Sequence, residues 1–162
     1  MSDQAKHEVS GKLLPSAAFW ADVPDARRAV MRAIKSKNTK PEMMVRRLVH
    51  SMGYRYRLHR ANLPGKPDLT FGPCKKVIFV HGCFWHQHSD PECRRARMPL
   101  TRSQYWRPKL ERNMQRDRRN VEDLETLGWG VQIIWECWLK DTRRTSEILR
   151  SFLDESGDER NG

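Results

Sequence analysis

Residues 77–88 read V-I-F-V-H-G-C-F-W-H-Q-H. Four consecutive apolar residues, Val77 to Val80, suit a strand buried on both faces. Gly82, directly after His81, lets the chain turn sharply. The next residues are a cysteine, two large aromatics and two more histidines. Half of the six histidines therefore lie within eight residues, at the end of a central strand. No core-forming period carries Phe84 and Trp85 inward, so they are placed in a loop. A chain with this stretch at its centre has to build a sheet that presents imidazole and thiol groups at one end.

The 162 residues are enough for one domain with a sizeable core. There are 31 Lys and Arg against 20 Asp and Glu, a net charge of +11, with Trp, Tyr and Phe interleaved among the charges. That balance points to a polyanionic partner, and nucleic acid is the commonest. A transmembrane helix needs roughly 20 apolar residues, and no stretch approaches that. The N-terminus lacks the apolar centre of a signal peptide. These features place the chain in the cytoplasm, where Cys74, Cys83, Cys93 and Cys137 are read as metal ligands or buried thiols rather than disulfides.

The expected organisation is a tail over residues 1–22, one folded domain over 23–154 and a second tail over 155–162. Residues 25–37 keep helical apolar spacing beside a run of arginines and lysines. Thr39-Lys40-Pro41-Glu42 matches a capping box and predicts a helix up to Met52, stopped by Gly53. Glu42 thus has a local structural role available. Residues 54–59 alternate as a half-exposed strand. Residues 67–81 form an expected hairpin that brings Asp68 and His81 to the same end of the sheet. A charged helix over 103–127, an apolar strand over 129–138 and a helix over 145–153 complete the chain. Cys74, at a strand start, is expected to be buried and inert.

Two metal sites are suggested by donor type. Cys83, His88, Cys93 and Cys137 make a Cys-x4-His-x4-Cys array plus one distant cysteine, a donor set for tetrahedral Zn²⁺ in a structural site. The competing assignment makes Cys137 a core thiol and His88 a surface residue. His81 and His86 are then left beside Asp68, whose oxygens suit Mg²⁺. A histidine there could take a proton from an attacking water. Metal, base and basic surface together suggest phosphodiester hydrolysis.

The motifs P-G-K-P-D-L (64–69), V-I-F-V-H-G-C-F-W-H-Q-H (77–88), R-x-Q-Y-W (102–106), N-x-x-R-D (113–117) and L-G-W-x-V-x-I-I-W-E-C (127–137) closely resemble the very short patch repair (Vsr) DNA mismatch endonucleases. The resemblance implies an α/β, restriction-endonuclease-like core with a central mixed sheet flanked by helices. It implies Mg²⁺-dependent nicking of duplex DNA 5′ to the thymine of a T·G mismatch, the product of 5-methylcytosine deamination. Carried over by position, Asp68 resembles the Mg²⁺-binding carboxylate, joined by the backbone carbonyl of Val80. His86 resembles the general base, and His81 assists at the metal-bound water or the scissile phosphate. Glu42 matches a further acidic residue of family catalysis. Cys83, His88, Cys93 and Cys137 match the structural zinc set. Phe84, Trp85 and Trp106 match aromatics that wedge beside the mismatch, and Met31 an intercalating position. Mismatch-repair proteins and a DNA polymerase are the implied partners, the bacterial nucleoid the implied place of action, and a monomer the expected state.

Three departures are visible. Val80 stands where some members have threonine, the His88–Cys93 spacing is longer than in histidine-rich versions, and the strand after Pro67-Asp68 offers Phe79 and His81 instead of an acidic residue and a lysine. Two other readings fit the same residues. One is a restriction-type endonuclease cutting an intact site, the other a zinc-stapled DNA-binding module without catalysis.

Overall fold

A computed structural model of the chain describes residues 37–155. Residues 25–36 of the expected basic helix, with Met31, the first tail and residues 156–162 of the second lie outside the described residues. The first described element is α1 (Lys40–Ser51). Thr39 Oγ1 accepts the Glu42 N–H at 3.3 Å, and Glu42 in turn accepts the Asn38 N–H at 2.9 Å, so the predicted cap forms with its return bond one residue earlier than in a standard box. Gly53, at φ +93°, carries the chain out of the helix.

Four strands follow: β1 (Arg57–Leu58), β2 (Leu69–Phe71), β3 (Lys76–His81) and β4 (Gly130–Trp135). They form one sheet in the order β1-β2-β3-β4, antiparallel at the first two junctions and parallel at β3–β4. The parallel pair is joined by a long crossover that contains α2 (Ser103–Thr126). After β4 a 3₁₀ segment, Glu136–Lys140, leads into α3 (Thr142–Asp154). This is the mixed α/β sheet flanked by helices that was expected. Among the described residues no helix is long and apolar enough to cross a membrane.

Alternation along the strands divides the core. Ile78 of β3, Leu69 and Phe71 of β2 and Ile134 of β4 join Val45 and Val49 of α1 and Leu149 and Leu153 of α3. On the other face, Val77 and Phe79 meet Leu124 of α2 and Leu63. Each such side chain contributes about 1.5–3 kcal/mol by leaving water. The sheet is thus covered by α1 and α3 on one side and by α2 on the other.

Several boundaries differ from the sequence reading. β1 keeps only two residues, because Tyr54 instead bonds Asp154 and Tyr56 packs edge-on against Phe71. β3 begins at Lys76, and Cys74 lies exposed in the preceding turn, where Lys75 at φ +50° closes the hairpin. The strand expected through residue 138 ends at Trp135, and Cys137 sits on the 3₁₀ segment. The last helix starts three residues early because Asp141 caps it, accepting the Arg144 N–H at 3.0 Å. Lys76 is fully buried and its Nζ donates to the carbonyls of Phe152 and Glu155 at 2.5 and 2.6 Å, filling the end of α3.

Candidate active site and metal centres

The candidate site residues gather near the carboxyl ends of β3 and β4. Asp68 immediately precedes β2, and its Oδ2 accepts the Val80 N–H at 2.7 Å. One oxygen is therefore pinned to the strand that carries His81, and the other is turned toward His59 at 3.9 Å. Burial, with Glu42 nearby, pushes the Asp68 carboxyl up to about 6, against the opposing pull of the Val80 N–H and His59. An anion made this costly is one that a bound cation would relieve, and its donor is oxygen, which fits Mg²⁺. Val80 meets Asp68 through its backbone N–H.

Asp68 and His81 reach the same end of the sheet, as the hairpin reading anticipated, but they enter two different trios. Glu42, His59 and Asp68 form one, with ligand atoms within 4.8 Å of one another; His81, His86 and Asp117 form the other on the same criterion. In the second trio the His81 and His86 rings stack at 3.8 Å and 7°. His86 Nδ1 is 2.5 Å from Asp117 Oδ2, so the carboxylate fixes the ring's orientation and tautomer. Burial is the largest influence on the Asp117 carboxyl and raises it, but the His86 hydrogen bond and the charges of His86, His81 and Arg116 together hold the group below its ordinary value. His81 is 5% exposed, and burial followed by the His86 charge lowers it to about 3. It is neutral at physiological pH. Its Nδ1 is buried with no hydrogen-bond partner among the described residues.

Asp117 and His59 were not assigned by sequence. The signal for Asp117 was available: Trp106, Leu110, Asn113 and Asp117 recur at helical spacing on one face of α2. Trp106 and Leu110 are buried, Asn113 donates to the Trp85 carbonyl at 3.1 Å, and Asp117 meets His86. That face braces the whole loop after β3. His59 carried no such signal, because alternation along a strand sends it outward.

Phe84, Trp85 and Trp106 form a cluster of edge-to-face rings with centroids 5.1 to 5.7 Å apart. Trp106 is buried beneath the other two, which are half-buried, and Lys109 Nζ lies 5.6–5.7 Å from Trp85, Tyr105 and Trp106. A cation beside clustered aromatics suits a phosphate-rich ligand with exposed base faces.

The sulfur cluster is separate. Cys83, His88, Cys93 and Cys137 bring one ligand atom each to within 4.8 Å of the others. Cys83 is fully buried, and burial with the neighbouring thiols pushes it up to about 12. His88 Nδ1 is 3.4 Å from Cys137 Sγ, and its ring stacks on Trp135 at 4.3 Å. Three thiols and one imidazole converging in a buried place fit a tetrahedral soft-donor ion, and the cluster could hold zinc. Cys93 joins the set despite its long spacing.

Comparison with known proteins agrees with this geometry. Residues 21–95 match the family model described as DNA mismatch endonuclease Vsr. A Type II nicking enzyme of Xanthomonas oryzae, V.XorIIP, is 48% identical over 82% of this chain and 96% of its own length. The chain belongs to the Vsr endonuclease family. The DNA mismatch endonuclease Vsr of Escherichia coli is 41% identical over 83% of this chain and 86% of its own length. Among solved structures, the catalytic domain of the homing endonuclease I-Bth0305I superposes with a TM-score of 0.49 at 19% identity, over 71% of this chain and 94% of that domain. As a Vsr-family member the protein is a DNA endonuclease, and DNA is its substrate.

Proposed function

We propose that this endonuclease nicks duplex DNA 5′ to the thymine of a T·G mismatch by Mg²⁺-dependent phosphodiester hydrolysis, starting short-patch repair. The observation that carries the reading is the Asp117–His86 pair set one residue from Trp85, so that a positioned base and an aromatic wedge share one loop. Asp68 with the Val80 carbonyl would hold Mg²⁺, which supplies Lewis-acid polarisation of the scissile phosphate. His86, oriented through Nδ1 by Asp117, offers Nε2 to take a proton from the attacking water. His81, kept neutral by burial, faces the same water or the phosphate. Glu42, bonded to Arg46 and His59, holds negative charge beside Asp68.

Phe84 and Trp85 enter the stack beside the mismatch, with Trp106 as their support. A mispaired step lowers the unstacking cost of a few kcal/mol, which favours the wedge at mismatches. Cys83, His88, Cys93 and Cys137 hold structural Zn²⁺ and stiffen this loop. The name of the Escherichia coli relative supports a mismatch substrate, and that of the Xanthomonas relative supports cutting one strand. A nick needs one active site, which suits a monomer, and leaves a 3′ end for a DNA polymerase.

The test is cleavage of labelled T·G and matched duplexes with Mg²⁺. A single cut on the thymine strand of the T·G duplex is expected, with the matched duplex left intact. Equal cleavage of both would replace this reading with a restriction-type activity. Tight binding without cleavage under any divalent ion would replace it with a non-catalytic DNA-binding module.

A further inference from the structure

His59 takes no part in the proposed chemistry, yet its placement is specific. It directly follows β1, with its N–H on the Asp68 carbonyl at 3.4 Å, which closes β1 onto β2. Its backbone is left-handed, at φ +45°, so the strand's outward alternation breaks at this residue. The ring is only 16% exposed, with Nε2 2.6 Å from Glu42 Oε1 and 3.9 Å from Asp68 Oδ1. The start of α1, the end of β1 and the start of β2 thus each deliver one donor atom to a single point.

We propose that His59, Glu42 and Asp68 together form a mixed imidazole–carboxylate site that takes a transition divalent ion such as Mn²⁺ in preference to Mg²⁺. This rests on the reading that Asp68 holds the divalent ion, and adds a third donor and a metal preference to it. Mg²⁺ favours an all-oxygen shell and keeps several of its waters. Imidazole nitrogen suits the later first-row ions, and N/O sites bind them with affinities that rise from Mn²⁺ onward. Arg46 Nη2 bonds Glu42 Oε1 and lies 3.4 Å from His59 Nε2. Glu42 is therefore partly neutralised, which lowers the attraction for Mg²⁺ and Mn²⁺ alike and leaves the imidazole nitrogen as the donor that tells the two ions apart. His59 offers Nε2 for this when its proton resides on Nδ1.

The test uses the full chain with its cysteine cluster metallated, alone and with a T·G duplex. Mn²⁺ binding is followed by electron paramagnetic resonance, Mg²⁺ by competition, and directly bound nitrogen by pulsed measurements of ¹⁴N coupling. Wild type should bind Mn²⁺ with an imidazole ¹⁴N signature. His59→Gln should lose that signature and weaken Mn²⁺ by at least about tenfold, the lower scale for losing a metal-site partner, with Mg²⁺ affinity unchanged. Asp68→Asn should weaken both ions. A nitrogen signature absent from wild type or surviving in His59→Gln, or an unchanged Mn²⁺-to-Mg²⁺ preference in that variant, overturns the proposal and leaves Asp68 standing as the ion's ligand. Divalent binding that is absent, or indifferent to Asp68→Asn, overturns both.

Discussion

His81, the last residue of β3, and Cys83, two residues on in the loop, belong to different clusters of donors. The sulfur cluster gathers three thiols and an imidazole, as many donors as a tetrahedral ion takes, with Cys83 and Cys93 buried. The carboxylate–histidine face has harder donors in threes, one Asp68 oxygen pinned to Val80 and a His81 nitrogen without a partner among the described residues. A closed tetrahedral set stabilises, whereas a site that reacts has to leave something unsatisfied. The comparison teaches that stability and reactivity are separated here by donor chemistry rather than by distance.

The largest effects should come from breaking the two sides separately. Cys83→Ser or Cys137→Ser should abolish nicking together with the fold of the loop, with Tm lowered by well over about 5 °C, read by calorimetry. Asp68→Asn should cut nicking by at least about 10³-fold with DNA affinity retained, measured in single-turnover and binding assays. Its stability should move the other way. The folded Asp68 carboxyl lies at about 6, above its ordinary 3.8, so its stabilising contribution is complete below pH 3.8 and is lost as pH rises through 6. At pH 7.5 the ionised group costs about 2–3 kcal/mol without a cation, and Asp68→Asn should recover much of that in urea unfolding.

His81 sharpens the same contrast with the opposite sign. Its folded value, about 3 against 6.5, makes its contribution present above pH 6.5 and lost as pH falls toward 3. At pH 5 this loss is about 2 kcal/mol. In wild type the Asp68 and His81 slopes oppose each other between pH 3.8 and 6. His81→Gln should therefore unmask the Asp68 slope, and Asp68→Asn the His81 slope; parallel pH curves for the two variants would rule this out.

Asp117→Asn should lower kcat about 10²-fold while KM for DNA stays unchanged, because it orients His86 and binds nothing itself. The smallest effect is expected from Trp85→Ala: a severalfold loss of T·G over matched preference, with the Tm little changed. An unaltered preference would remove Trp85 from the wedge.

Much of this was legible in the chain. The apolar run 77–80 marked the central strand, Thr39 with Glu42 marked α1, and the spacing of Cys83, His88, Cys93 and Cys137 picked out the cluster that converges in space. What stayed hidden depended on pairings that no local pattern encodes. His86 meets Asp117 across 31 positions, and the helical spacing that puts Asp117 on the face of Trp106 and Leu110 does not name its partner. His59 was read as facing outward because alternation assumes extended backbone, and its left-handed φ breaks that assumption. Cys74 was expected inside, but the turn through Gly72-Pro73 runs two residues further than its motif suggests.

The buried Lys76 gives the C-terminal helix a say in the chemistry it never touches. A strand displaced by one residue would exchange the faces of Val80 and His81, putting an isopropyl group where the imidazole belongs. Lys76, anchored in the carbonyls of Phe152 and Glu155, indexes β3 against the end of α3 like a notch on a sliding scale. Shortening α3 would then blur the setting of the catalytic strand before it unravelled the fold.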